Sequence, residues 1–196
     1  MIAQPSEADT AEILHLIERA GVFTRIDVDC VQELLDDYFH QPDRGGYEFA
    51  IYRLDGRLAG MICFGPTPLT EGTFDLYWLA VAPEARRHGV GRALFAHMEQ
   101  RLRQQGVRLL VVETSSTEGY ESARRFYLSL GLHRQALNRS PLHGEERANR
   151  LSLKASRLTS LSPNFFDSAS FTRTRSRASA AWLSMRTLLE LVMLFV

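Results

Sequence analysis

The stretch Val81 to Leu94, reading VAPEARRHGVGRAL, constrains this chain more than any other segment. An apolar strand pattern runs into a turn holding Arg86, Gly89 and Gly91, and the turn runs directly into an amphipathic helix pattern. At such a junction the first N–H groups of the helix have no internal acceptor, and the aligned peptide dipoles concentrate partial positive charge there. An anion satisfies both conditions at once. Glycine at 89 and 91 removes side chains that would hold a diphosphate away from the backbone. A glycine-softened turn with no ligand is the plain alternative, and a bare Gly-x-Gly would favour it.

Two other phosphate loops do not fit. A P-loop closes on Gly-Lys-Ser/Thr, with the lysine on phosphate and the hydroxyl on magnesium, whereas Gly91 is followed by Arg92 and Ala93. A dinucleotide fingerprint needs a third small residue, and that position is Leu94. Its acidic ribose ligand is also poorly matched, because Glu113 ends a strand that itself faces the site.

The whole chain sets wider limits. With 196 residues and 45% hydrophobic content, one domain with a substantial core is expected. The formal net charge is zero, so nothing global draws the protein to nucleic acid or to an anionic membrane. Cys30 and Cys63 stand singly in amphipathic or apolar patterns, which suits buried thiols in a reducing compartment and not a disulfide framework or metal site. The N-terminus lacks a basic stretch followed by an apolar core, so a cytoplasmic protein is expected.

Periodicity predicts the element order. Ser6 and Asp9 read as a capping box ahead of a helix bearing Ile13, Leu16, Ile17 and Ala20 and ending at Gly21. Val28, Val31, Leu35 and Tyr38 predict a second helix, ending near Pro42. Tyr47 to Leu54 and Arg57 to Phe64 alternate around Asp55-Gly56, a pair suited to a tight hairpin turn. Thr73 to Val81 follows as a strand, Gly89 to about Gln105 as a helix, Val107 to Thr114 as a nearly continuous apolar strand, and Gly119 to Leu130 as a helix stopped by Gly131. This order predicts an α/β (mixed α+β) fold, antiparallel at first, with a parallel crossover around the glycine turn.

Arg86, Arg87, His88, Gly89, Val90 and Gly91 match Gln/Arg-x-x-Gly-x-Gly/Ala, and here the chain resembles the GCN5-related N-acetyltransferase (GNAT) family. The resemblance continues upstream through FGPTPLTEGTFDLYWLAV and downstream through VRLLVVETSS into YESARRFYLSLGL, spanning roughly Pro5 to Leu132. It implies a central mixed sheet flanked by helices and splayed between the fourth and fifth strands, with the cofactor in the gap. It further implies acetyl-CoA as co-substrate, no metal, and direct attack by an amine. Backbone near Leu79, Ala80 and Val81 would orient the thioester, and the turn of Arg86, Arg87, His88, Gly89, Val90, Gly91 and Arg92 would hold the diphosphate. Tyr127 would be the general acid, although by spacing alone Phe126 and Tyr127 read as a packed aromatic pair.

The general base stays open among three carboxylates. Asp75 shares a strand face with Tyr77, Leu79 and Val81, since side chains alternate with period two. Glu113, at the end of the neighbouring strand, and Glu71, in the loop before the Asp75 strand, are rivals. The expected acceptor is a small-molecule or peptide amine, with no nucleic-acid partner and no membrane span; a homodimer stays open. The competing function is an acyl-CoA-binding module without catalysis, and a surface-attachment tail built on Arg173, Arg175 and Arg177 is weaker because the chain is neutral overall.

The match breaks in two places. Tyr120 stands where the family often has an Asn that contacts the cofactor arm. After Leu132, where two closing strands are required, only Arg150 to Lys154 shows weak alternation. The expected division is therefore a domain at 1–154, with closing strands atypical or missing, and a tail at 155–196 that is rich in Ser, Thr and Arg before turning apolar. Ala181 to Val196 is shorter than the roughly 20 residues that cross a bilayer. The abrupt change in composition points to a shifted reading frame or an unusual extension, which the other frames of the encoding DNA would distinguish.

Overall fold

A computed structural model describes residues 1–41, 45–115, 117–139 and 147–154; the expected tail at 155–196 lies outside them. The described chain folds as β1 (Ile2–Ala3), α1 (Thr10–Arg19), α2 (Arg25–His40), β2 (Glu48–Leu54), β3 (Arg57–Pro66), β4 (Thr73–Val81), α3 (Val90–Gln104), β5 (Leu109–Ser115), α4 (Glu121–Ser129), β6 (His133–Arg139) and β7 (Arg147–Lys154). One mixed sheet runs in the order β1-β2-β3-β4-β5-β7-β6.

Local chemistry accounts for the element starts. The Asp9 carboxylate accepts from the Ser6 amide and hydroxyl at 2.7 and 2.8 Å just ahead of α1. Thr24 and Asp27 form a second reciprocal box at the start of α2. Asp55 and Gly56 both have positive φ, 51° and 79°, as a tight β2–β3 hairpin demands. In β3 every residue from Leu58 to Gly65 is buried, because both faces of this strand are covered. On one side Phe49, in register with Cys63, meets Tyr38 of α2 at a ring separation of 5.1 Å. On the other, a Cβ on Gly60 would strike Val90 and Leu94 of α3.

Pairing between β4 and β5 is parallel and short, running only from Thr73 opposite Leu109 to Leu76 opposite Val112. Beyond that point β4 keeps its partner β3 while β5 is held by β7. The sheet is therefore splayed between its fourth and fifth strands. A bulge lies beside the point of divergence: Cys63 faces Trp78 and Phe64 faces Leu76, leaving Tyr77 as the extra residue.

The bulge corrects the expected alternation. Gly65, Cys63 and Met61 share one face of β3, and their partners are Asp75, Trp78 and Ala80. Leu79 and Val81 oppose Ile62 and Gly60 on the other face, so Asp75 does not share a face with them. One inserted residue reverses every side chain beyond it. Two strands also follow Leu132, where alternation marked only Arg150 to Lys154; they add to the sheet through backbone pairing with β5 and with each other.

Candidate functional site

The turn between β4 and α3 is built as a row of available amides. Helix α3 begins after Gly89, whose φ of 80° is left-handed, and it has no side-chain cap and no acidic residue in its first turn. Its first return bond runs from the Ala93 amide to the Gly89 carbonyl at 2.9 Å, so the amides of Val90, Gly91 and Arg92 precede the helical ladder. Arg87 also lies in the left-handed region, at φ 64°, which costs a non-glycine residue roughly 1–2 kcal/mol. Left-handed residues at 87 and 89 curl the backbone into the kind of concavity that turns successive N–H groups toward an anion.

The two glycines have different reasons. A Cβ at Gly89 would meet nothing within 4 Å, so the space in front of it is open and only the backbone angle demands glycine. A Cβ at Gly91 would lie 3.4 Å from the Phe126 ring and 3.5 Å from Val81. Gly91 is thus a packing position, where α4 comes against the start of α3 and the end of β4.

Three of the turn's basic side chains, those of Arg86, His88 and Arg92, have protein partners. The Arg86 guanidinium donates to the Ala20 carbonyl at 2.6 Å, at the C-terminus of α1. Arg92 reaches toward Ser129 of α4 at 3.5 Å. An exposed His88 ring nitrogen lies 2.8 Å from the Arg86 carbonyl. Leu79, Ala80 and Val81 occupy the part of β4 that pairs with β3 on one side and has no β5 partner on the other. Half of their main-chain groups therefore face the gap.

Of the proposed acid and bases, Tyr127 is buried, with its ring 5.4 Å from Phe126, and burial pushes its phenol pKa well above the ordinary value. Asp75 is in register with Val111, two positions before Glu113, so both carboxylates lie on the sheet face that also carries Trp78. Glu113 is exposed, and the β7 register sets Arg150 opposite it. Glu71 lies on the β3–β4 loop, where its carbonyl accepts from Arg108, and that loop is at the paired end of β4, away from the splay.

Sequence reasoning missed three residues at this site. Tyr77 is the bulge itself; its hydroxyl donates to the Pro66 carbonyl at 3.2 Å, and burial, with Asp75 adding to it, raises its pKa. Phe23, between α1 and α2, packs edge-on against Trp78 at 5.2 Å. Thr114 is 5% exposed, and its buried hydroxyl has no hydrogen-bond partner among the described residues. From sequence, Tyr77 stood only as a neighbour of Asp75 on the same strand. Among the described residues no cluster of three metal-ligating side chains occurs, and no helix is long and apolar enough to cross a membrane.

Comparison with known proteins bears on the family and the fold. The model of the acetyltransferase (GNAT) family matches residues 12–132. A GNAT-family protein from Desulfovibrio desulfuricans is 36% identical, with a TM-score of 0.74 over 79% of this chain and 98% of its own. The ribosomal-protein-S18-alanine N-acetyltransferase of Escherichia coli is 22% identical, with a TM-score of 0.64 over 85% of this chain and 99% of its own. The PaiA N-acetyltransferase of Thermoplasma acidophilum, solved with coenzyme A, is 15% identical, with a TM-score of 0.61 over 79% and 98%. No curated protein matches the sequence.

Proposed function

Because the chain belongs to the GNAT family of acetyltransferases, we propose that it transfers an acetyl group from acetyl-CoA to a primary amine of a small molecule or peptide by direct attack. The observation that carries this reading is the uncapped start of α3 at the mouth of the β4–β5 splay. Amides of residues 87–92 hold the diphosphate, with Gly89 giving it close approach. The gap between β4 and β5 is long enough for an amide-bearing arm to lie against the open edge of Leu79 to Val81, as an added strand would.

When bound, acetyl-CoA supplies the electrophilic thioester carbonyl. Helix α3 covers the sheet face of Leu79 and Val81, so the amine approaches from the opposite face. Asp75 and Glu113 lie on that face, and one of them accepts the amine proton directly or through water. Tyr127 holds a proton for the departing thiolate. Turnover of acetyl-CoA against a panel of amines tests the activity: release of CoA with an acetylated amine supports it. Thermal stabilisation by acetyl-CoA without turnover on any amine would instead assign a binding module, because stabilisation requires only binding to the folded state. The expected cellular setting is cytoplasmic.

A further inference from the structure

The segment joining α1 to α2 is tied to the turn at its near end and to α4 at its far end. Ala20 caps the C-terminus of α1, where carbonyls lack intrahelical donors and the dipole end is negative. Arg86, itself exposed, meets both conditions by donating to the buried Ala20 carbonyl at 2.6 Å. Two residues on, the Val22 carbonyl accepts from the Tyr120 hydroxyl at 3.1 Å. Between these and α2, Phe23 packs on Trp78, which shares its sheet face with Asp75. The exposed Arg19–Glu84 pair at 2.9 Å runs parallel to the Arg86 link but contributes little by itself.

We propose that Arg86 and Tyr120 are positioning residues that fix residues 20–24 as the wall of the amine side, with Arg86 joining that wall to the diphosphate turn. This rests on the reading of the turn as a CoA cradle. Arg86 follows the turn through its backbone and grips the α1 end through its guanidinium, so ordering the turn orders the wall. Tyr120 takes a different task from that implied by the resemblance at its position: its hydroxyl serves the wall, not the cofactor arm.

Hydrogen–deuterium exchange of the full chain with and without coenzyme A tests this without knowledge of the acceptor. In the unsubstituted protein coenzyme A is expected to slow exchange at residues 86–92 and at residues 20–24. In Arg86→Met it should slow only the first segment, with CoA affinity held within about twofold, since no phosphate contact is lost. Tyr120→Phe, a milder change, should speed exchange at 20–24 with and without coenzyme A and leave protection of the turn intact. Protection of 20–24 that persists in Arg86→Met would overturn the proposal. So would a loss of CoA affinity of roughly tenfold or more, the mark of a guanidinium that sits on phosphate. Protection of the turn alone in the unsubstituted protein would also refute the link while sparing the cradle; protection of neither segment would refute the cradle, and the link with it.

Discussion

Tyr127 keeps its proton throughout the physiological range, because burial raises its phenol pKa above the ordinary value of 10.0. In its proposed role as general acid it is protonated but weak, so donation to a thiolate would be concerted with departure of the leaving group. Tyr127→Phe is expected to lower kcat by about 10²-fold or more while leaving the CoA dissociation constant unchanged. A matching loss of CoA affinity in calorimetry would return Tyr127 to the role of packed aromatic. For the base, Asp75→Asn and Glu113→Gln should be compared by the pH dependence of kcat/KM. Whichever carboxylate accepts the amine proton should lose the acidic limb of the profile when neutralised, and the other should retain it. An acidic limb intact in both variants would exclude both residues.

At the scale of elements, the start of α3 joins two demands. On the proposed reading its amides stay uncapped for the ligand, and Gly91 stays small so that α4 can pack against it. Gly91→Ala places a Cβ at 3.4 and 3.5 Å from Phe126 and Val81, distances that packing tolerates. Gly91→Leu should overpack the same contact and lower unfolding stability by about 1–3 kcal/mol in urea titration. The capping box of Ser6 and Asp9, the Asp55-Gly56 hairpin and the strand from Thr73 to Val81 were legible because each is set by neighbours in sequence. The bulge at Tyr77 was not, since an extra residue in one strand is defined only against its partner, and the partner in β3 reads as unbroken apolar sequence. For the same reason Asp75 was assigned to the wrong face. Arg86 was expected among the residues that hold the diphosphate, but its guanidinium donates to the carbonyl of a helix end 66 residues away. Strand β6 and the first part of β7 were not legible, because only Arg150 to Lys154 alternates and the remaining pairing is between main-chain groups.

Across the whole molecule, the sheet separates two faces: α3 closes one, and the other carries Asp75, Glu113 and, through Phe23 on Trp78, the α1–α2 segment. The buried core also sets a pH limit. Burial first, then Glu33, Asp27 and Asp29, raise the Cys30 thiol from 9.0 to about 11. In the unfolded chain the thiol ionises first, so the folded state loses relative stability as pH rises from about 9 toward 11. Chemical denaturation over that interval should show a steeper fall for the unsubstituted protein than for Cys30→Ala; equal slopes would remove Cys30 as a cause. The central claim, that main-chain amides between β4 and α3 grip a CoA diphosphate, is tested most directly by a crystal structure of the protein grown with coenzyme A. Diphosphate oxygens within hydrogen-bonding distance of the amides of residues 87–92 are the predicted result, and coenzyme A bound at any other part of the surface would contradict it.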